Sequence, residues 1–168
     1  MSSAQPIVTA RFVFSNPVRF LAFGFGSGLS PVAPGTAGTV AAVPLYLLMA
    51  PLPTGIYLLL TASVFVAGIP ICGRAASDLG IHDHGGIVWD EIAGYLITMA
   101  FVPGGWPWVI AGFLAFRLFD VLKPWPIGWA DARVSGGFGI MLDDAIAALY
   151  AALLLWLIQV LSGSLSTI

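Results

Sequence analysis

Pro103-Gly104-Gly105-Trp106-Pro107 is an uncharged turn set between two apolar runs, residues 92–102 and 108–122. Proline and glycine at this density end one regular element and begin another, so the two runs read as arms of a helical hairpin. A second turn of the same kind, Pro51-Leu52-Pro53-Thr54-Gly55, joins residues 38–50 to 56–72, and a fifth apolar run covers 145–161. Several runs are shorter than the roughly 20 residues a helix needs to cross a bilayer. The short ones must extend into their charged flanks or sit where the bilayer is thinned.

The two hairpins make a checkable statement about charge. If both neutral turns lie on one face, every other connection emerges on the opposite face. Arg11 and Arg19 precede the first run. Arg74, Asp78, Asp83, Asp90 and Glu91 fall between the second and third. Arg117, Asp120, Lys123, Asp131, Arg133, Asp143 and Asp144 surround the link from the fourth to the fifth. These are all six basic and all eight acidic residues, and the other face carries none. Lysine and arginine in short loops mark the cytoplasmic side, which puts the N-terminus and the charged loops there and the C-terminus across the membrane.

Composition agrees with a lipid solvent. The chain is 59% hydrophobic and 8% charged over 168 residues, with a mean hydropathy of +0.98, where soluble domains carry about 25% charged residues. The expected fold is therefore all-α, a polytopic membrane helix bundle of about five apolar segments, some short or re-entrant. Its length suits one embedded catalytic domain, residues 18–168, behind a flexible N-terminal tail, residues 1–17. A net charge of −2 and only six basic residues exclude a nucleic-acid footprint. The lone Cys72 sits in an apolar run and reads as a buried, inert thiol. Residues 1–20 lack the compact apolar stretch of a cleavable signal. Nothing in the sequence sets an oligomeric state.

Three polar stretches carry chemistry. Residues 24–39 are rich in glycine and run into a helix. Glycines let backbone N–H groups approach a ligand, and a helix N-terminus adds partial positive charge, which suits phosphate, with Thr36 and Thr39 as added donors. A glycine and proline turn that merely packs tightly is the plainer reading of the same residues. Residues 78–91 end in Asp90-Glu91 at the mouth of an apolar run, where acids are costly unless paired or bound to a metal. His82 and His84 flank Asp83 but lack further His or Cys ligands for a closed zinc site, so proton transfer or substrate orientation suits them better. Residues 117–144 hold Arg117 and Asp120 three apart, on one helix face. They also hold Lys123 before a proline and the adjacent acids Asp143-Asp144. Carboxylates for a divalent cation beside cations and N–H groups for phosphate are the parts of a magnesium-assisted phosphoryl site.

With these stretches in hand, the chain resembles the phosphatidylglycerophosphatase A family. The resembling residues are Gly26-Ser27-Gly28 through Pro34-Gly35-Thr36-Ala37-Gly38-Thr39, then His82-Asp83-His84-Gly85 with Ile87-Val88-Trp89-Asp90-Glu91. They continue with Phe116-Arg117-Leu118-Phe119-Asp120 and Lys123-Pro124, then Gly136-Gly137 up to Asp143-Asp144. The resemblance covers residues 23–148 and implies a magnesium-dependent enzyme of the bacterial inner membrane. Its substrate would be the lipid phosphatidylglycerophosphate, hydrolysed to phosphatidylglycerol and inorganic phosphate.

On this reading Asp90, Glu91, Asp120, Asp143 and Asp144 are expected as metal ligands. Gly35, Thr36, Gly38, Thr39, Arg117, Lys123 and Arg133 are expected to hold substrate. Asp83, His84, Asp90 and Lys123 are expected at the reacting centre, with direct attack by water. A CDP-alcohol phosphotransferase is the alternative enzyme, since Asp131-Ala132-Arg133 and Gly139-Ile140-Met141-Leu142-Asp143 are similar to part of that family's pattern, although position 147 is Ala where a further Asp is expected. An ion transporter is disfavoured because no acid lies deep inside any apolar run.

Overall fold

A computed structural model describes residues 8–81 and 84–165. Eight α-helices follow one another within them: α1 (Ala10–Phe14), α2 (Pro17–Ala22), α3 (Pro34–Met49), α4 (Thr54–Leu79), α5 (Trp89–Thr98), α6 (Trp106–Leu122), α7 (Ile127–Arg133) and α8 (Gly136–Leu165). Tight 3-10 turns occupy Gly24–Leu29 and Met99–Phe101, and the described residues contain no strand. The expected all-α class is what the chain adopts.

Local chemistry sets the boundaries. Asn16 caps α2 by accepting from the Val18 N–H at 2.8 Å, with Pro17 at the first helical position. Gly80, at φ 66°, ends α4 in the left-handed conformation that glycine adopts without strain. Within the segment expected to be a flexible tail, Thr9 caps the short helix α1 and Val13 is fully buried. A single apolar anchor and a side-chain cap are enough to fix residues that composition alone makes look irregular.

The five apolar runs fall in α3, α4, α5 with its following turn, α6 and α8, but these helices differ in kind. Among the described residues, only α4 and the stretch Gly136–Gly163 of α8 are long and apolar enough to cross a membrane, each with a mean hydropathy of 2.1. The 16-residue α3 is apolar but shorter. Helix α5 has ten residues, about 15 Å at the α-helical rise. Eight of those ten are buried, because α3, α4, α6 and α8 all pack against it. It is a short helix enclosed by protein, and that enclosure lets acids stand at its start.

The outer faces are apolar. Leu59 (67% exposed), Val66, Leu114, Leu149 and Trp156 all point away from the bundle, and contiguous apolar surface on this scale calls for a partner or a lipid solvent. The two uncharged turns meet at one end of the molecule, where Ala50, Leu52 and Thr54 from one and Val102 and Gly104 from the other line a single cavity of about 190 Å³. Charge pairs gather elsewhere. Arg19 from α2 and Arg74 from α4 both bind Asp78, at 2.9 and 3.1 Å.

Helix α8 is the spine of the bundle and contacts α4, α5, α6 and α7. Its approach to α4 runs through glycine: a Cβ on Gly137 would collide with the Ile69 carbonyl and lie 2.7 Å from the Gly73 nitrogen. Small residues at such crossings let backbones touch, which replaces the hydrophobic drive that lipid cannot supply. Gly137→Leu should therefore overpack the crossing by about 2–3 kcal/mol. Thermal unfolding in detergent should record a midpoint lower by roughly 5–10 °C, and an unchanged midpoint would refute the close crossing.

Candidate active site

The first turn of α5 carries Asp90 and Glu91, and α8 brings Asp144 to meet them. One carboxylate oxygen from each lies within 4.8 Å of the others. Asp90 and Asp144 are buried at 9% and 3% exposure. Asp90 Oδ1, Glu91 Oε2 and Asp144 Oδ2 are buried and have no hydrogen-bond partner among the described residues. Two like charges at this separation repel by about 3 kcal/mol even at an effective dielectric constant of 20. The packing of α5 against α8 is what brings the three groups together.

Two further elements close on the cluster. Arg117 of α6 places Nη1 3.6 Å from Glu91 Oε1 and also pairs with Asp120 one turn along the same helix. From the other side comes Gly35, in the first turn of α3. A Cβ at Gly35 would strike Glu91 Oε1 and approach both Arg117 terminal nitrogens at 3.1 and 3.2 Å. Ala33 precedes α3 in the left-handed conformation, φ 48°, and gives it no side-chain cap. The uncapped first-turn N–H groups of α3 thus start beside Arg117, a setting that favours an anion.

The loop ahead of α5 is pinned by backbone contacts. Val88 N donates to the Ala22 carbonyl at 2.8 Å, and Gly86 N donates to His84 Nδ1 at 3.0 Å. Gly28 and Gly86 touch so closely that a Cβ on Gly86 would lie 2.9 Å from the Gly28 carbonyl oxygen. Trp89, part of the resembling motif but given no role there, donates its indole N–H to the Val64 carbonyl at 3.0 Å and fixes the start of α5 against α4. Its position directly before two acids was the available signal.

The remaining expected residues divide. Thr39 is fully buried and its hydroxyl donates to the Gly35 carbonyl, so it shapes α3 instead of facing a ligand. Gly38 is a packing glycine against Val88. Thr36 is half-buried in the first turn of α3. Asp143 turns away from Asp144 and accepts from Lys123 Nζ at 2.7 Å, while Asp131 of α7 accepts from the same ammonium at 2.8 Å. Burial alone would lower the Lys123 pKa, but the hydrogen bonds to Asp131 and Asp143 outweigh it and hold the group above the ordinary lysine range. Lys123 is thus a fixed cation at physiological pH, and the stability it adds is lost only as pH climbs through that raised value. Arg133 is exposed in the last turn of α7, and Asp83 lies outside the described residues. Cys72 is buried with Sγ 3.7 Å from Met141 Sδ.

The family model described as phosphatidylglycerophosphatase A matches residues 20–159. The chain belongs to the phosphatidylglycerophosphatase A family. It is 48% identical over 155 residues to the phosphatidylglycerophosphatase A of Escherichia coli, covering 92% of this chain and 90% of that one. It is 47% identical over 146 residues to the phosphatidylglycerophosphatase A of Haemophilus influenzae, covering 86% and 90%. No solved structure matches the chain. The matched region of the family contains Gly35, Asp90, Glu91, Arg117, Asp120, Lys123, Asp143 and Asp144. The converging donors are carboxylate oxygens, and each of the three groups carries a buried oxygen without a hydrogen-bond partner among the described residues. Such a set suits a hard divalent cation, magnesium or calcium, better than zinc or copper.

Proposed function

We propose that the chain hydrolyses phosphatidylglycerophosphate to phosphatidylglycerol and inorganic phosphate at the cytoplasmic surface of a bacterial inner membrane, with a magnesium ion held by Asp90, Glu91 and Asp144. One observation carries this reading: three carboxylates, each with a buried and unpartnered oxygen, meet beside Arg117 and the start of α3. When bound, the ion supplies charge stabilisation to phosphoryl oxygens and makes water a better nucleophile.

The chain's own residues do the rest. Arg117 and the first-turn N–H groups of α3 face the remaining phosphate oxygens and hold the phosphoryl group in one orientation. Asp120 keeps Arg117 in place through their ion pair. Lys123 clamps α7 to α8 by way of Asp131 and Asp143 and so sets the azimuth of α8, on which Asp144 depends. His84 accepts from Gly86 N on Nδ1 and so braces the loop that leads into α5. Helices α3, α4, α5 with its turn, α6 and α8 form a multi-pass bundle. The neutral turns lie at its far end and the basic residues in the cytoplasm, in keeping with the sidedness of lysine and arginine.

The test is phosphate release from phosphatidylglycerophosphate by purified protein in mixed micelles. Chelation should lower turnover on the order of 100-fold or more, the equivalent of a few kcal/mol in barrier, with recovery on adding magnesium. Absence of phosphate release in magnesium would end the proposal. Formation or consumption of CMP would favour a CDP-alcohol phosphotransferase, but the Asp131 and Asp143 of that reading share Lys123 and stand outside the carboxylate cluster.

A further inference from the structure

We propose that the groove between α4, α5 and α8 receives an acyl chain of the phospholipid substrate, an inference that rests on the phosphatase reading above. Its walls are Leu58, Ala62 and Phe65 of α4, Ile97 of α5, and Ala145 and Leu149 of α8, around a volume of about 350 Å³. The groove opens on the apolar outer face, where Val66 and Leu149 are each 61% exposed.

Continuity with the carboxylate cluster selects this occupant. Ala145 directly follows Asp144 in α8, and Ile97 lies seven residues after Asp90, two turns along the same face of α5. The Trp89 indole bonded to the Val64 carbonyl sets Val64 level with the first turn of α5. From that level to Leu58 is six residues of α4, roughly 9 Å of depth. The groove therefore begins beside the acids and runs toward the neutral-turn end of the bundle, as a tail would from a headgroup held above it.

One polar atom interrupts the apolar lining at an informative height. Thr61 is 5% exposed and lines the groove, with its hydroxyl beside that of Tyr57. The neighbouring Tyr57 hydroxyl gives its own proton to the Leu96 carbonyl at 2.7 Å. Thr61 stands three residues below Val64, about 5 Å deeper. A phospholipid presents an ester carbonyl between its headgroup and its hydrocarbon, and a hydroxyl at this depth is a donor for it.

A second apolar groove, between α6 and α8, is slightly larger at about 400 Å³. Its α8 wall begins at Leu154, ten residues past Asp144 and roughly 15 Å further along the helix. Its α6 wall reaches Leu118, next to Arg117, but Ala111 lies seven residues, two helical turns, away from Leu118 and serves as the control position.

The experiment compares phosphate release from dioleoyl and dibutyroyl phosphatidylglycerophosphate by the full chain in mixed micelles. Ala62→Trp fills the groove from α4 and should raise KM for the dioleoyl lipid on the order of tenfold, the scale of lost apolar contacts in a pocket. The short-chain lipid should be turned over as before, and Ala111→Trp in the control groove should change neither. Equal loss for both lipids, no loss for either, or the same pattern from Ala111→Trp would each overturn the inference. A wild-type chain that releases no phosphate from either lipid would sink the phosphatase reading instead. The groove is then read without turnover: phosphatidylglycerophosphate with a diazirine in its tail should label Leu58, Phe65 and Leu149 more than a phosphatidylcholine probe does. Equal labelling by the two probes would refute it.

Discussion

Asp144→Asn and Asp90→Asn should each reduce magnesium-dependent phosphate release on the order of 10³-fold or more, since each removes a full charge from a site whose contribution amounts to several kcal/mol. The same variants should stay folded. Asp144 and Asp90 stand within 4.8 Å of each other and of Glu91, with unpartnered oxygens on all three. An isosteric amide removes one of the repulsions that the fold otherwise sustains. In chelator, thermal unfolding of either variant should therefore match or exceed the wild-type midpoint. Magnesium should raise the wild-type midpoint by linkage and leave the variants nearly unmoved. Near-normal turnover in both variants would dismantle the site. A large drop in their unfolding midpoint in chelator would show that these acids serve structure instead.

Gly35→Ala should separate activity from stability in a different way. Alanine is the better helix former by about 1 kcal/mol, and Gly35 lies in the first turn of α3 without a positive φ, so the backbone accepts the change. The added methyl, however, meets Glu91 Oε1 and both terminal nitrogens of Arg117. The carboxylate and the guanidinium must shift together, and displacements near 1 Å in a reacting centre cost roughly 100-fold in rate. Turnover should fall by that order while the unfolding midpoint changes by no more than about 3 °C. Gly38→Ala provides the contrast, because its methyl meets Val88 in the core. It should lower the unfolding midpoint without a selective effect on turnover. A Gly35→Ala enzyme with wild-type rates would show that α3 does not border the phosphate position.

Much of the arrangement was legible in the sequence. Turn chemistry at residues 51–55 and 103–107 marked the connections between helices, and the charges clustered away from both; the expected pairing of α3 along α4 does not form, since α3 packs on α5 and α4 on α8. The segregation is visible because an ionisable group in hydrocarbon is so costly that its position along the chain reports its side of the bundle. Other features were local only in appearance. Asp143 and Asp144 look interchangeable, yet neighbours on a helix point about 100° apart, so one accepts from Lys123 and the other joins Asp90. Gly35 and Gly38 belong to one motif, but the first borders the acids and the second only packs. Thr39 looked like a donor and proved to be spent on its own helix.

Sequence by itself determined the helical class, the position of the turns, the gathering of charge and the family, because these depend on local turn propensity and on the energy of moving each residue type between water and lipid. Tertiary structure alone decided that α5 is a short enclosed helix, which carboxylates converge and which is tied to Lys123, and that an apolar groove descends from the acids along α4. Those outcomes are fixed by the rotation and close approach of whole helices, set by glycine contacts and side-chain packing between segments far apart in the chain, and no window of sequence contains both partners of such a contact.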